Sequence, residues 1–298
     1  MGYLFLFLSL LFGLIKVYCG KKTSYVANCS MNAIIINTVR MVISFCIGIA
    51  IALISGTESF FFEQPEAVLI AFMSGACIAC FTVSWLLSVN NSAYMLVEVF
   101  VMGGVFVPLI LCRLFYGETV SILQGIAGIL LIISVYFMCS YDKIEKGKMT
   151  FKNFGLLILC AISSGMSDFS QKVYVKEFEN ISIILFNIYT YLFAAIILIG
   201  IYVIFKLKEK NKQESSYVIV KPVFYYVLIM AGCLFLNSYF KTLSSKHLDA
   251  VLLYPLNQGL AVVFSFVMSV VLFKEKMNYK GTAGIIIALA SVIIINFC

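Results

Sequence analysis

The chain reads as an all-α polytopic membrane protein: ten transmembrane helices, made from two inverted five-helix repeats. Three observations predict this. Hydrophobic residues make up 62% of the 298 positions and charged residues 12%, against about 25% charged in a soluble domain; the mean hydropathy is +1.05. The apolar residues fall in unbroken runs of about twenty, the length a helix needs to cross a bilayer. Short motifs recur about 156 residues apart, one set in each half of the chain. Such a chain cannot cover itself with polar groups. In lipid its backbone must be satisfied within helices or a closed barrel. Barrel strands would alternate apolar and polar residues over about ten positions, and these runs do not alternate.

The ten runs follow in order. The first, 2–20, is interrupted by Lys16, and no small-x-small cleavage site follows it, so it reads as a permanent helix rather than a leader. The second, 31–55, carries Asn37 and Arg40; the third, 67–88, carries Trp85 and a lone Cys77-x-x-Cys80; the fourth, 92–113, carries Glu98. Glu118 opens the fifth, 119–140, which holds Gly125 and Gly128. The stretch 141–152 divides the halves, giving repeats over 1–141 and 152–298. The sixth run, 152–173, carries Asp168 and Lys172, and the seventh, 181–205, carries Asn187, Tyr189 and Tyr191. After a Lys/Glu/Ser-rich loop at 206–221, the eighth run, 222–241, carries Asn237. The ninth, 248–272, carries Tyr254, Pro255, Asn257 and Gln258. Glu275 precedes the tenth, 278–297, with Gly281 and Gly284.

The repeat is legible in register. Gly281 and Gly284 lie 156 residues after Gly125 and Gly128, and Lys172-Val173-Tyr174 lies 156 after Lys16-Val17-Tyr18. At 157, Glu275 answers Glu118 and Ala250 answers Ala93. Five helices per unit is an odd number, so the second unit enters the membrane from the opposite side. That is the inverted repeat from which many secondary transporters are built, with a cavity between the halves. One side collects the lysines at 21, 22, 143–152, 206–221 and 274–280; the other collects Arg113, Lys172, Lys176, Lys241 and Lys246 with the acidic loop of Glu58, Glu63 and Glu66. By the positive-inside rule the first side is cytoplasmic and both termini lie outside.

These features resemble the EamA-like branch of the drug/metabolite transporter superfamily over nearly the whole length. The resemblance is carried by Gly13-x-x-Lys16 at the end of the first helix, echoed at Lys172, and by Arg40 after Asn37. It is also carried by Glu118 and Glu275 leading into glycine-containing helices, and by Pro255. At the position matching Pro255, where family members more often carry proline too, this chain has Glu98. The resemblance implies a bacterial inner-membrane transporter with both termini in the cytosol, the opposite of the lysine bias. It implies export or exchange of small metabolites such as amino acids through one central cavity. The drive would be an ion gradient or the substrate's own gradient.

Glu98 is the foremost candidate for chemistry. It lies about six residues, or roughly 9 Å, inside the fourth helix. A carboxylate there must face protein or water or be protonated, and it could exchange a proton against substrate; the bland alternative is an interfacial hydrogen bond. Arg40, sharing a face with Asn37, is a candidate anchor for a carboxylate, or a partner for Glu98 or for helix-end carbonyls. Tyr254, Asn257 and Gln258 flank Pro255, where a broken helix would expose carbonyls to a ligand. Asn187, Tyr189, Tyr191, Asn237 and Trp85 are candidate cavity residues that equally suit helix–helix bonds. Asp168 is expected to pair with Lys172 one turn on, and Lys16 must find its partner on another helix. The paired glycines read as close packing, and Glu118 and Glu275 as helix-dipole partners.

Other function classes fit less well. The net charge of +7 sits in short loops, not on one face of a soluble domain, so nucleic acid is not expected. One histidine and scattered carboxylates offer no catalytic cluster, and the CxxC lacks further ligands, so neither an enzyme, a metal site nor a cofactor is expected. A flippase of a lipid-linked small molecule remains the alternative, with a non-transporting receptor or assembly subunit behind it. The expected partners are a small-molecule substrate, the bilayer and a coupling proton, in a monomer or homodimer.

Overall fold

A computed structural model describes residues 1–26, 30–56, 64–117, 121–145, 150–178, 182–208, 221–274 and 278–296. The described residues are helical, with no strand among them. The helices are α1 (Gly2–Thr23), α2 (Ser30–Ile54), α3 (Pro65–Asn91), α4 (Tyr94–Gly103), α5 (Phe106–Tyr116) and α6 (Ile122–Glu145). They continue with α7 (Phe151–Glu177), α8 (Ile183–Lys208), α9 (Lys221–Ser245), α10 (Ala250–Val271) and α11 (Tyr279–Asn296). With α4 and α5 taken as one broken rod, they correspond to the ten apolar runs in order.

Over the described residues, seven of these rods are long and apolar enough to cross a membrane on their own: α1, α2, α3, α4–α5, α8, α9 and α10. The chain is a multi-pass membrane protein. The signal of α7 is weaker for a local reason: it places Asp168, Gln171 and Lys172 among serines on its buried side.

Local chemistry sets the ends. Pro65 occupies the first turn of α3, where its missing N–H costs nothing. Thr150 caps α7 by accepting the Asn153 amide at 3.3 Å. Gly117, at φ 66°, closes α5 in the left-handed conformation. Large apolar side chains face outward along the rods, among them Leu53, Ile132, Tyr136, Ile196 and Ile286. Lipid is the solvent that accepts such a surface.

The rods pair in a definite pattern: α1 with α9, α3 with α7, α2 with α8, α4 with α10, and α6 with α11. Small residues permit the closest approaches. A Cβ on Gly75 would stand 2.7 Å from the Thr190 carbonyl oxygen of α8. In α6–α11, a Cβ on Gly284 would stand 3.0 Å from Met138 and Ser291 donates to the Ala127 carbonyl at 2.7 Å, while a Cβ on Gly128 of α6 would meet the Phe106 ring of α5 at 3.3 Å. Gly281 is buried and its N–H donates to Asn278 Oδ1 at 2.9 Å. Gly125 lies within α6, and its surroundings are outside the described residues, as are Glu118 and Glu275.

Two expectations are corrected. The ninth run was expected to break at Pro255; α10 instead runs unbroken from Ala250 to Val271. The break lies in the fourth run, between Gly103 and Phe106. Lys172 and Lys241 were counted among the charges of one membrane surface. Both lie within helices, Lys172 4% exposed and the Lys241 side chain 13% exposed. Without them the second side of the molecule keeps Arg113, Lys176 and Lys246, which sharpens the lysine asymmetry.

Candidate functional site

A cavity of about 130 Å³ opens where the two halves meet. Its walls come from α1, α2, α3 and α4 of the first half and α7, α9 and α10 of the second. Six of the candidates, Arg40, Trp85, Glu98, Asn237, Asn257 and Gln258, line it. Lys16, read from sequence as a helix-end residue, lines it too.

The α1 wall explains the Gly-x-x-Lys spacing. Gly13 has no side chain, and a Cβ there would stand 3.1 Å from the Asn237 amide nitrogen. That gap lets Asn237 reach across from α9 and donate to the Ser9 carbonyl at 2.7 Å and to Ser9 Oγ at 3.0 Å. Its remaining oxygen accepts from Lys16 Nζ at 3.2 Å. Two turns of helix, Ser9 to Lys16, thus seat an asparagine and, through it, aim a lysine. The partner of Lys16 is on another helix, as its sequence context required, and it is an amide rather than an acid.

Glu98 lies on α4, 7% exposed, and its Oε1 accepts from Trp85 Nε1 at 3.1 Å. The indole is seated by a second glycine: a Cβ on Gly20 would stand 2.8 Å from the Trp85 ring. Lys21, at the end of α1, lies 5.5 Å from the centre of the Tyr94 ring beside this carboxylate. Arg40 is 5% exposed. Its Nη1 meets the Met230 thioether at 3.4 Å, and its Nε has no hydrogen-bond partner among the described residues. Asn257 also lines the cavity, with an Oδ1 that has no partner there.

The other candidates sit behind the walls. Asn37 donates to the Ala33 carbonyl at 2.9 Å and the Thr82 carbonyl at 3.1 Å, tying α2 to α3 next to the cavity. Asn187 accepts from Ser238 Oγ at 2.6 Å, and Tyr191 donates to the Leu234 carbonyl at 3.2 Å; both bind α8 to α9. The Tyr189 ring rests against Phe193. Tyr254 is fully buried and donates to the Asp168 carbonyl at 2.6 Å, joining α10 to α7.

Asp168 forms its ion pair with Lys241 of α9, across the bundle, and not simply with the lysine one turn along its own helix. Lys172 donates to the Ser245 and Leu248 carbonyls at 3.2 and 2.9 Å, capping the end of α9. Lys241 lines the cavity and sequence reading missed it. It falls where the apolar run ends, so it passed as a surface charge. The signal that would have found it was its place in the repeat, 156 residues after Trp85.

Among the described residues no group of three or more His, Cys, Asp or Glu side chains could hold a metal ion. Lys16 is within electrostatic reach of Arg40, Lys241, Glu98 and Asp168. The cavity can therefore bind a small polar molecule by charge and hydrogen bonds within an otherwise apolar bundle.

Residues 153–297 match the sequence model of the EamA-like transporter family. A solved structure described only as the crystal structure of a protein shares the fold, with a TM-score of 0.67 at 14% identity. The match covers 98% of this chain and 95% of that one. No curated protein matches the chain in sequence.

Proposed function

We propose that this chain, whose residues 153–297 match the EamA-like transporter family model, is a secondary transporter of the drug/metabolite transporter superfamily in the bacterial plasma membrane. It exports or exchanges small metabolites such as amino acids by alternating access. The observation that carries the reading is the cavity: charged side chains stand inside apolar helices, around a space walled by both halves. Ionisable groups at such depth are expensive and mark pathways.

The pairing of the rods supports two inverted repeats. Exchange of the halves turns the α1–α9 contact into the α7–α3 contact, and leaves α2–α8, α4–α10 and α6–α11 each paired as before. A pseudo-two-fold axis produces that pattern, and five rods per half make the repeat inverted. In this reading Glu98 carries the coupling proton, and Arg40, Asn237, Asn257 and Gln258 contact substrate.

The test is flux in proteoliposomes across a metabolite panel, with and without a pH gradient. Saturable uptake or counterflow of at least one small metabolite is expected. Liposomes no more permeable than protein-free controls to every compound, under both conditions, would end the transport reading.

A further inference from the structure

The charges around the cavity do not balance. Lys16, Arg40 and Lys241 are cations on its wall; Glu98 is the anion on its wall, and Asp168 stands against Lys241. In their ordinary ionised forms these five groups leave one positive charge over. Lys21, within electrostatic reach of Glu98, adds to the same sign. Protonation of Glu98 would enlarge the surplus.

The surplus can be located. Lys241 has the Asp168 carboxylate. Glu98 accepts from an indole N–H. Among the described residues Lys16 meets a neutral amide oxygen, that of Asn237, at hydrogen-bond range. Arg40 is 5% exposed, lines the cavity, and has neither a carboxylate partner nor a partner for its Nε among the described residues. A guanidinium buried without a counter-charge is costly, and its planar fork matches a carboxylate with two parallel bonds. The wall also carries apolar and aromatic side chains, among them Val17, Phe81, Trp85 and Met230, the last in contact with Arg40. The volume of about 130 Å³ is near that of an apolar cavity that holds one benzene molecule.

We infer that the ligand completing this cavity is a small organic monoanion, a monocarboxylate with an apolar body, its carboxylate held by Arg40 and Lys16. The inference names the substrate class of the transport site and rests on that reading for its biological sense. A net-neutral zwitterion would leave the surplus in place.

The chain has a single tryptophan, and it lies in the cavity wall. Its fluorescence in purified, detergent-solubilised protein therefore reports occupancy directly, without any flux. The probes are butyrate and pyruvate, their neutral amides, the zwitterion alanine, and inorganic phosphate. Butyrate or pyruvate should change the emission saturably, at concentrations at least tenfold below any effect of the amides or alanine. Arg40→Gln should weaken the carboxylate tenfold or more, and Arg40→Lys, which keeps charge but loses the fork, by less. Should Arg40→Gln fail to fold, Asn257→Asp adds a negative charge to the wall and should weaken carboxylates while sparing the amides. Equal responses to acid and amide, tighter binding of alanine, or a preference for phosphate would each overturn the inference. Saturable carboxylate binding with no flux of any compound would instead sink the transport reading and leave this one standing.

Discussion

The fourth rod of each half does the same job in different ways. In the second half it is α10, continuous from Ala250 to Val271 with Pro255 inside it. In the first half it is α4 and α5, broken at Gly104 and Val105, with Pro108 just beyond. A proline deprives the carbonyl four residues earlier of its helical bond. For Pro108 that carbonyl is Gly104, in mid-rod. It is taken instead by the Val107 N–H at 3.0 Å, and Gly104 N and Val105 N bond back three residues to Val101 and Met102. The rod tightens into a 3₁₀ turn and bends. For Pro255 the deprived carbonyl belongs to Val251, in the first turn of α10. Hardly any helix lies ahead of it to be kinked.

Packing completes the contrast. The bend in the first half lies against α7, where Gly104 and Gly165 press backbone to backbone. A Cβ on Gly165 would stand 2.2 Å from the Gly104 oxygen, and one on Gly104 would stand 2.3 Å from the Ala161 oxygen. Neither contact can be relieved by a side-chain rotation. The second half has a side-chain anchor instead, the Tyr254 hydroxyl on the Asp168 carbonyl. A proline bends a transmembrane rod when a full stretch of helix precedes it and a glycine seam receives the bend.

The largest expected effect comes from filling that seam. Gly104→Ala and Gly165→Ala should each destabilise the folded protein by roughly 1–3 kcal/mol, the range for forcing atoms into a packed interior. The measurement is the apparent unfolding temperature in detergent. Gly155, whose Cβ would meet nothing within 4 Å on the same helix, serves as control; Gly155→Ala should leave the midpoint unchanged. If all three variants melt alike, the seam is not what holds the bend.

Glu98 stands on the bent rod at the position that Pro255 occupies on the straight one. Glu98→Gln keeps the shape and an acceptor for the Trp85 N–H. It should fold as wild type yet lose the pH dependence of flux in proteoliposomes. Glu98→Ala should also cost about 1–3 kcal/mol by stranding the indole N–H, read by the same melting assay. A Gln variant whose flux keeps the wild-type pH profile would remove Glu98 from proton coupling.

Much of this was legible beforehand, and the misses have physical causes. The rods are fixed by uninterrupted apolar runs, because lipid leaves the backbone no other way to be satisfied. Gly13 and Lys16 were readable as a motif, since their i,i+3 spacing is local. Asn237, the residue they serve, lies 221 positions from Lys16; its role is fixed by the packing of α1 on α9. Lys241 was misplaced because a lysine at the end of an apolar run looks interfacial, and only Asp168 on another helix keeps it inside. The bend was misplaced by weighing Pro255 and passing over Pro108. The carbonyl that each proline deprives can be counted from sequence, but the glycine of α7 that accepts the bend cannot.

On the straight rod, the anchor should matter modestly. Tyr254→Phe removes one hydrogen bond from a buried ring and leaves the Asp168 carbonyl to its helix. A loss of about 1 kcal/mol is expected, seen as a small drop in unfolding midpoint with flux retained.

The smallest effect expected is that of Pro255→Ala, and its partner experiment is Pro108→Ala. Alanine at 255 restores an N–H one turn from a helix start, where the chain is already helical, so stability should move by less than about 1 kcal/mol and flux should not change. Alanine at 108 restores an N–H that can reclaim the Gly104 carbonyl and straighten the rod beneath Glu98. That should disturb flux while leaving the protein folded. The two substitutions are chemically identical and occupy the same rod of the two halves. Flux lost equally in both would mean that proline matters to this fold wherever it stands. Flux lost at 108 alone would assign the bend, and not the residue type, to the transport cycle.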